Sequence, residues 1–329
     1  MDTAVDRSQP DARFPPTGDR PQGPSGAEMI RGDALLAWRR GLLRLGGGAV
    51  DLDWLMEMAG GLSWSQWQSV YLHPERSYRL KAPLEAIATL WHQHLHTAVP
   101  LQYLVGLCPW RDLELEVGPG VLIPRQETEL LVELALQLLP AADHQRPPLA
   151  WLDLGTGSGC LAVALARAFP GSEGWAVDCS ELALARAATN LERHGCRDSV
   201  RLRQSHWWQS LDVLQGQLDL IVTNPPYIPT SLLSTLDPVV REHEPWLALD
   251  GGEDGLEAIR LIVAEAKTYL APGGVLLMEH HHDQSEAVID LVVSAGLAQP
   301  QAHRDLEGIL RFVSARPTAC PGVLPSLPS

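Results

Sequence analysis

The chain has 329 residues, 45% of them hydrophobic, and a formal net charge of −15 at pH 7. That length suggests about two domains. The acidic balance disfavours a phosphate-backbone partner unless basic side chains gather locally, and beyond Arg39-Arg40 there is no basic run, with lysine only at Lys81 and Lys267.

Residues 1–28 mix Asp, Arg, Pro, Gln and Gly without periodicity and read as a disordered extension, as does the tail 316–329. Five cysteines (108, 160, 179, 196 and 320) form no C-x-x-C pair, which fits a reducing compartment. No apolar run reaches membrane-spanning length and no apolar leader is visible. A cytoplasmic protein with no membrane contact is the expectation.

Residues 29–106 carry a helical pattern. One apolar-faced segment runs from Ala34 through Leu45 and stops at Gly46-Gly47-Gly48. Asp51 is placed to cap a second helix holding Leu52, Leu55 and Met56, and Ser63 to cap a third through Trp67 and Val70. A fourth spans Leu84 to Leu95. Residues 107–124 change period: Leu113 to Val117 alternate, Gly118-Pro119-Gly120 reads as a turn, and Val121 to Ile123 follow, so a linking β-hairpin is predicted.

From 125 to 315 strands and helices alternate. Pro124 to Glu129 opens a helix to about Leu139. Strands are predicted near 150–154, 174–178, 199–204, 218–223 and 273–279, with helices near 159–169, 181–194, 254–270 and 284–295. Short strands near 298–303 and 309–315 finish the pattern. Such alternation argues an α/β fold with a doubly wound, mostly parallel sheet.

Two motifs in this region carry chemistry. In Asp153-Leu154-Gly155-Thr156-Gly157-Ser158-Gly159 an apolar strand runs into alternating glycines and then a helix. Glycine lets a ligand approach the main chain, and the helix start adds free N–H groups. The next strand closes on Asp178, where a carboxylate can accept ribose hydroxyls. The dinucleotide fingerprint G-x-G-x-x-G needs one more residue before its last glycine, so a nicotinamide enzyme is the weaker reading. The second motif, Asn224-Pro225-Pro226-Tyr227, follows the strand Leu218 to Thr223. Two prolines stop the ladder and stiffen the backbone, presenting an amide, carbonyls and an aromatic ring to a flat amide or amino group.

Together with Leu122-Ile123-Pro124-Arg125-Gln126-Glu127-Thr128-Glu129, Pro100 to Gly106, Ala248 to Arg260 and Arg304-Asp305-Leu306-Glu307-Gly308, these motifs resemble the bacterial release-factor glutamine methyltransferases. The resemblance spans about residues 32–315. It implies a class I, Rossmann-like methyltransferase domain behind a small helical domain that recognises the partner. The implied reaction is S-adenosylmethionine-dependent N5-methylation of the glutamine in the Gly-Gly-Gln motif of class I peptide release factors. Carried over by position, Gly155, Thr156, Gly157, Ser158 and Gly159 would line the donor, Asp178 would hold its ribose and Trp207 its adenine. Asn224, Pro225, Pro226 and Tyr227 would hold the glutamine, Asn224 also bordering the donor; Asn224, Pro225 and Tyr227 are the catalytic candidates. Leu122, Arg125 and Glu129 would flank the pocket, or serve only hairpin packing and the helix start. Asp250 to Gly255 reads as a turn and helix cap, with a part in the site equally open. The family usually has an acid where His206 stands. An amino-methyltransferase acting on adenine or guanine in DNA or rRNA would share Asn-Pro-Pro-Tyr, but the acidic composition opposes it. His280-His281-His282 invites a metal reading; neighbouring positions at a strand end face alternate sides, so no metal is expected and a solvated strand end is the reading kept.

Overall fold

Trp151, Leu220, Val222, Val275 and Leu277 lie in one buried cluster, while Leu152, Ile221, Leu276 and Met278 lie in another. Successive strand side chains point to opposite faces, so near-continuous apolar runs such as these mark strands covered on both sides. The computed structural model describes residues 27–139 and 148–318. The chain divides into two compact units, Met1–Leu107 and Cys108–Ser329.

In the first unit β1 (Glu28–Arg31) pairs antiparallel with β2 (Ser77–Leu80). Around this ribbon stand α1 (Gly32–Leu43), α2 (Ala49–Met58), α3 (Trp64–Leu72), α4 (Leu84–Thr97) and α5 (Leu101–Val105). Their inward residues, including Leu35, Leu52, Leu55, Trp67, Ile87 and Trp91, form one apolar core. Ser63 caps α3 in a reciprocal box: Gln66 N–H donates to Ser63 Oγ at 3.4 Å, and Ser63 N–H donates to Gln66 Oε1 at 2.9 Å. α2 starts after Gly48, so Asp51 lies inside the helix and is not its cap. Glu28 belongs to β1, inside the range read as an extension; residues 1–26 lie outside the described residues.

The boundary between the units falls at the first residue of β3 (Leu107–Trp110), which pairs with β4 (Leu113–Glu116) in a two-stranded sheet folded across Arg111-Asp112. The hairpin therefore turns seven residues before Gly118, and Gly118-Pro119-Gly120 lies beyond its second strand. Arg111 takes a left-handed φ of 54° and donates its N–H to Glu129 Oε1 at 2.9 Å. A tertiary partner thus holds a turn that the residue's own preference does not favour.

The remaining elements are α6 (Glu129–Leu138), β5 (Ala150–Leu154), α7 (Cys160–Ala168), β6 (Glu173–Asp178), α8 (Glu181–Arg193), β7 (Val200–Gln204), β8 (Leu218–Thr223), α9 (Pro238–Arg241), α10 (Glu257–Tyr269), β9 (Leu270–Glu279), α11 (Ser285–Ser294), β10 (Leu297–Arg304) and β11 (Leu310–Pro317). Seven strands form one sheet in the order β10-β11-β9-β8-β5-β6-β7. β5 to β9 run parallel, and β11 lies antiparallel between β9 and β10. β11 reaches Pro317, past the start of the segment read as a tail; 319–329 lie outside the described residues. The chain order reverses between β5 and β8, the place where an open parallel sheet leaves a crevice at its carboxyl edge. Asp153 to Gly159 and Asn224 to Tyr227 leave the sheet from those two strands. Among the described residues no helix is long and apolar enough to cross a membrane, and Cys108, Cys160, Cys179 and Cys196 are free thiols.

Candidate active site

Gly155, Gly157 and Gly159 have φ of +75°, +56° and +80°, so the loop after β5 is built from a backbone shape that side-chain-bearing residues rarely adopt. A Cβ on Gly159 would lie 2.9 Å from the Cβ of Ala187 in α8, which fixes glycine at the start of α7. At Gly157 a Cβ would meet nothing within 4 Å, so that peptide faces open space. Thr156 and Ser158 are buried, as is Asp153 beneath the loop. Thr156 Oγ1 donates to Asp153 Oδ2 at 2.7 Å, while Asp153 Oδ1 is buried without a hydrogen-bond partner. Burial pushes this carboxyl up to about 7.

Asp178 ends β6 and ties the loop down. Its Oδ2 accepts the Gly157 N–H and its Oδ1 the Ser180 N–H, both at 2.9 Å. Each oxygen keeps a second lone pair, so ribose hydroxyls remain acceptable donors. Trp207 has a left-handed φ of 53°, and its ring lies 3.6 Å from where a Cβ on Gly155 would stand. The Ser205 hydroxyl bonds the Trp207 and Gln209 carbonyls at 2.8 and 2.7 Å and so braces that turn. His206 is exposed, its ring edge-on to Trp207.

At the end of β8, Thr223 Oγ1 donates to the Leu154 carbonyl at 2.7 Å, locking the two crevice strands together. Asn224 follows, half-buried. Its Nδ2 donates to Thr128 Oγ1 at 2.9 Å, and Thr128 donates onward to Glu279 Oε2 at 2.7 Å. Tyr227 OH donates to the other oxygen of Glu279 at 3.1 Å. Gln284 Nε2 donates to the Tyr227 carbonyl at 3.0 Å and the Gly255 carbonyl at 3.2 Å. Pro225 is buried and Pro226 half-buried. Burial of Glu279 pushes its carboxyl up to about 7, and burial together with that carboxyl drives the Tyr227 phenol far above its ordinary range.

The sequence-predicted residues thus fall into two adjoining groups at one sheet edge: the β5 loop with Asp178 and Trp207, and the Asn224 to Tyr227 corner. The flanking candidates divide differently. Arg125 pairs with buried Glu244 at 2.7 Å, and Glu129 holds the Arg111 N–H, so both have structural partners; Leu122 is half-buried. Asp250 to Gly255 clamps the chain beyond Tyr227: Gly251 N–H donates to the Ile228 carbonyl at 2.8 Å, and Thr230 Oγ1 to Asp250 Oδ1 at 2.6 Å. In the Arg304 to Gly308 motif, Asp305 accepts the Ile309 N–H at 2.8 Å and the Arg311 Nε at 2.6 Å, closing the β10–β11 turn. Of the three histidines, His280 is buried and only His281 and His282 reach the surface, which corrects the solvated reading for the first. His281, His282 and Asp283 bring ligand-type atoms within 4.8 Å of one another, and His281 Nδ1 is hydrogen-bonded to Asp283.

Thr128, Glu279 and Gln284 escaped the sequence reading. Thr128 reads as a helix start, and Gln284 gives no signal. Glu279 does: a charged residue ending the apolar run Val275 to Met278 is a position where burial needs partners.

A family model described as the methyltransferase small domain matches residues 128–238. A release factor glutamine methyltransferase of Prochlorococcus marinus is 48% identical over 280 residues, covering 85% of this chain and 95% of the relative. Another, of Geobacter sulfurreducens, is 40% identical over 285 residues, covering 86% and 95%. The chain belongs to the release factor glutamine methyltransferase family. Among solved structures, the hMettl16 catalytic domain superposes with a TM-score of 0.52 at 14% identity, covering 85% of this chain and 95% of that one, a likeness of fold alone. As a release factor glutamine methyltransferase family member the chain is an enzyme that uses S-adenosylmethionine as methyl donor. Its residues fit that group. The open peptide at Gly157, the ring of Trp207 beside Gly155 and the spare lone pairs of Asp178 offer close main-chain approach, stacking and hydroxyl partners at one sheet edge.

Proposed function

We propose that this protein methylates the side-chain nitrogen of the Gly-Gly-Gln glutamine in class I peptide release factors, in the cytoplasm, with residues 29–106 serving partner recognition. The observation that carries this reading is the Asn224 corner, where the amide nitrogen is committed to Thr128 and Oδ1 is left to accept from a substrate.

An amide nitrogen is a poor nucleophile because its lone pair is delocalised into the carbonyl. Asn224 Oδ1 and the Pro225 carbonyl each accept one N–H of the glutamine. Two acceptors off the amide plane favour the pyramidal nitrogen of the transition state over the flat ground state. Tyr227 lays its ring along the amide and excludes water, its hydroxyl anchored on Glu279. Gly155 to Gly159, Asp178 and Trp207 would hold the methyl donor beside the Asn224 corner. Bound S-adenosylmethionine would supply an electrophilic methyl group on a sulfonium, leaving as a neutral thioether; the methylated nitrogen then carries one surplus, strongly acidic proton that passes to solvent water, so the site needs no strong base.

The test is to incubate the protein with labelled donor and a release factor, with and without its Gly-Gly-Gln glutamine replaced, and to locate label by mass spectrometry. Label on that glutamine alone is expected. Label on RNA or DNA, or on the replaced factor, would assign the site to another substrate.

A further inference from the structure

We propose that Thr128, held by the Glu279 carboxylate, decides which end of the Asn224 amide faces the reacting glutamine and is therefore a positioning residue for methyl transfer. This deepens the reading of Asn224 given above and rests on it.

The argument is one of donors and acceptors. Thr128 is 2% exposed, directly before α6. Threonine at a helix start commonly turns its hydroxyl onto the helix N–H groups. Here it makes no such cap bond, because the hydroxyl points the other way. It has one proton to give. An ionised carboxylate can only accept, and Glu279 Oε2, 2.7 Å away, takes that proton. The second oxygen of Glu279 is engaged by Tyr227 OH, so the carboxylate is fixed from both sides. What Thr128 has left is a lone pair, and at 2.9 Å it faces the Asn224 amide. Only the NH₂ end satisfies it. A flipped amide would set two acceptors face to face in a buried place, a mismatch that favours the observed orientation by about tenfold or more. It would also turn an NH₂ group towards the substrate nitrogen, where an acceptor is required.

The chain of bonds therefore carries information from the end of β9 to the end of β8. Glu279 selects the rotor of Thr128, Thr128 selects the face of Asn224, and Asn224 Oδ1 meets the substrate.

The test uses the full-length enzyme with saturating donor and a release factor as substrate. Thr128→Val keeps the shape and removes the hydroxyl. It should lower kcat about tenfold or more, with donor affinity and KM for the release factor within about twofold of wild type. Thr128→Ser should restore kcat to within about threefold. In an Asn224→Ala background, Thr128→Val should cost less than twofold, because the residue it positions is gone. If Asn224→Ala is severely impaired and folded Thr128→Val turns over at the wild-type rate, the positioning role is refuted while the reading of the site stands. If Asn224→Ala itself stays active, the reading of the site falls first. Equal losses in the valine and serine variants would also refute the role, since the hydroxyl would not matter. Should Thr128→Val fail to fold, spectra of the wild-type enzyme labelled with ¹⁵N-asparagine decide. Slowed exchange of one Asn224 side-chain proton is expected, and exchange as fast as free asparagine overturns the proposal.

Discussion

Asn224 and Asp178 have separable jobs, and single substitutions separate them. Asn224→Ala removes an acceptor used only as the nitrogen pyramidalises, so kcat should fall by about 10²-fold or more with donor affinity little changed; near-normal release-factor methylation would contradict this. Asp178→Ala should act on binding instead, weakening donor affinity in calorimetry, and an unchanged Kd would remove its ribose role. The Glu279 carboxyl adds a pH dependence. It is pushed up to about 7, chiefly by burial and further by Glu127, against the opposing pull of Thr128, Tyr227 and Arg311. Above that pH it is ionised and takes the Thr128 proton. Below it the carboxyl carries its own proton and can donate it to Thr128, whose hydroxyl is then free to donate to a flipped Asn224 amide, drawing Oδ1 away from the substrate. At saturating donor, kcat should therefore drop as pH falls through about 7, and Glu279→Gln should lower the plateau and flatten this limb. A limb that persists unaltered in the glutamine variant belongs to another group.

The elements hold these residues by devices of unequal visibility in the sequence. Ser63 with Gln66 is a capping box that any reader of the chain can find, and Ser63→Ala should cost the first unit about 1 kcal/mol in denaturant unfolding. The loop of Asp250 to Gly255 is harder to read. Gly255 sits at φ +74°, where a Cβ would lie 2.3 Å from the Tyr227 carbonyl and 2.6 Å from Gln284 Nε2. Gly255→Ala should thus push the Asn224 to Tyr227 corner out of place and lower kcat about tenfold, with reduced thermal stability. A variant with normal turnover would show that the corner tolerates the shift. In the sequence, Gly255 is one of several glycines in a turn; its necessity comes from the Tyr227 carbonyl, 28 residues away. The hairpin shows the same limit. Gly118-Pro119-Gly120 carries the stronger local turn signal, yet the chain turns at Arg111-Asp112, because Glu129 supplies a partner for the Arg111 N–H and Glu133 for its guanidinium.

Across the whole molecule, the charge of −15 sets what the surface attracts. A phosphate backbone gains little from such a field, so a fluorescently labelled RNA or DNA duplex should show no anisotropy change with the protein at low salt. Salt-sensitive binding would reopen the nucleobase alternative.

The sequence by itself determined the alternating α/β unit, its two chemical loops and the family. These follow from local periodicity, glycine and proline punctuation, and fixed motif spacing. Tertiary structure alone decided the partnership of Thr128, Glu279 and Gln284 around the Asn224 corner. These residues lie up to 156 positions apart, and their value depends on which hydrogen-bond donor meets which acceptor. No local preference encodes that pairing; it exists only once parallel strands from distant parts of the chain end at the same edge.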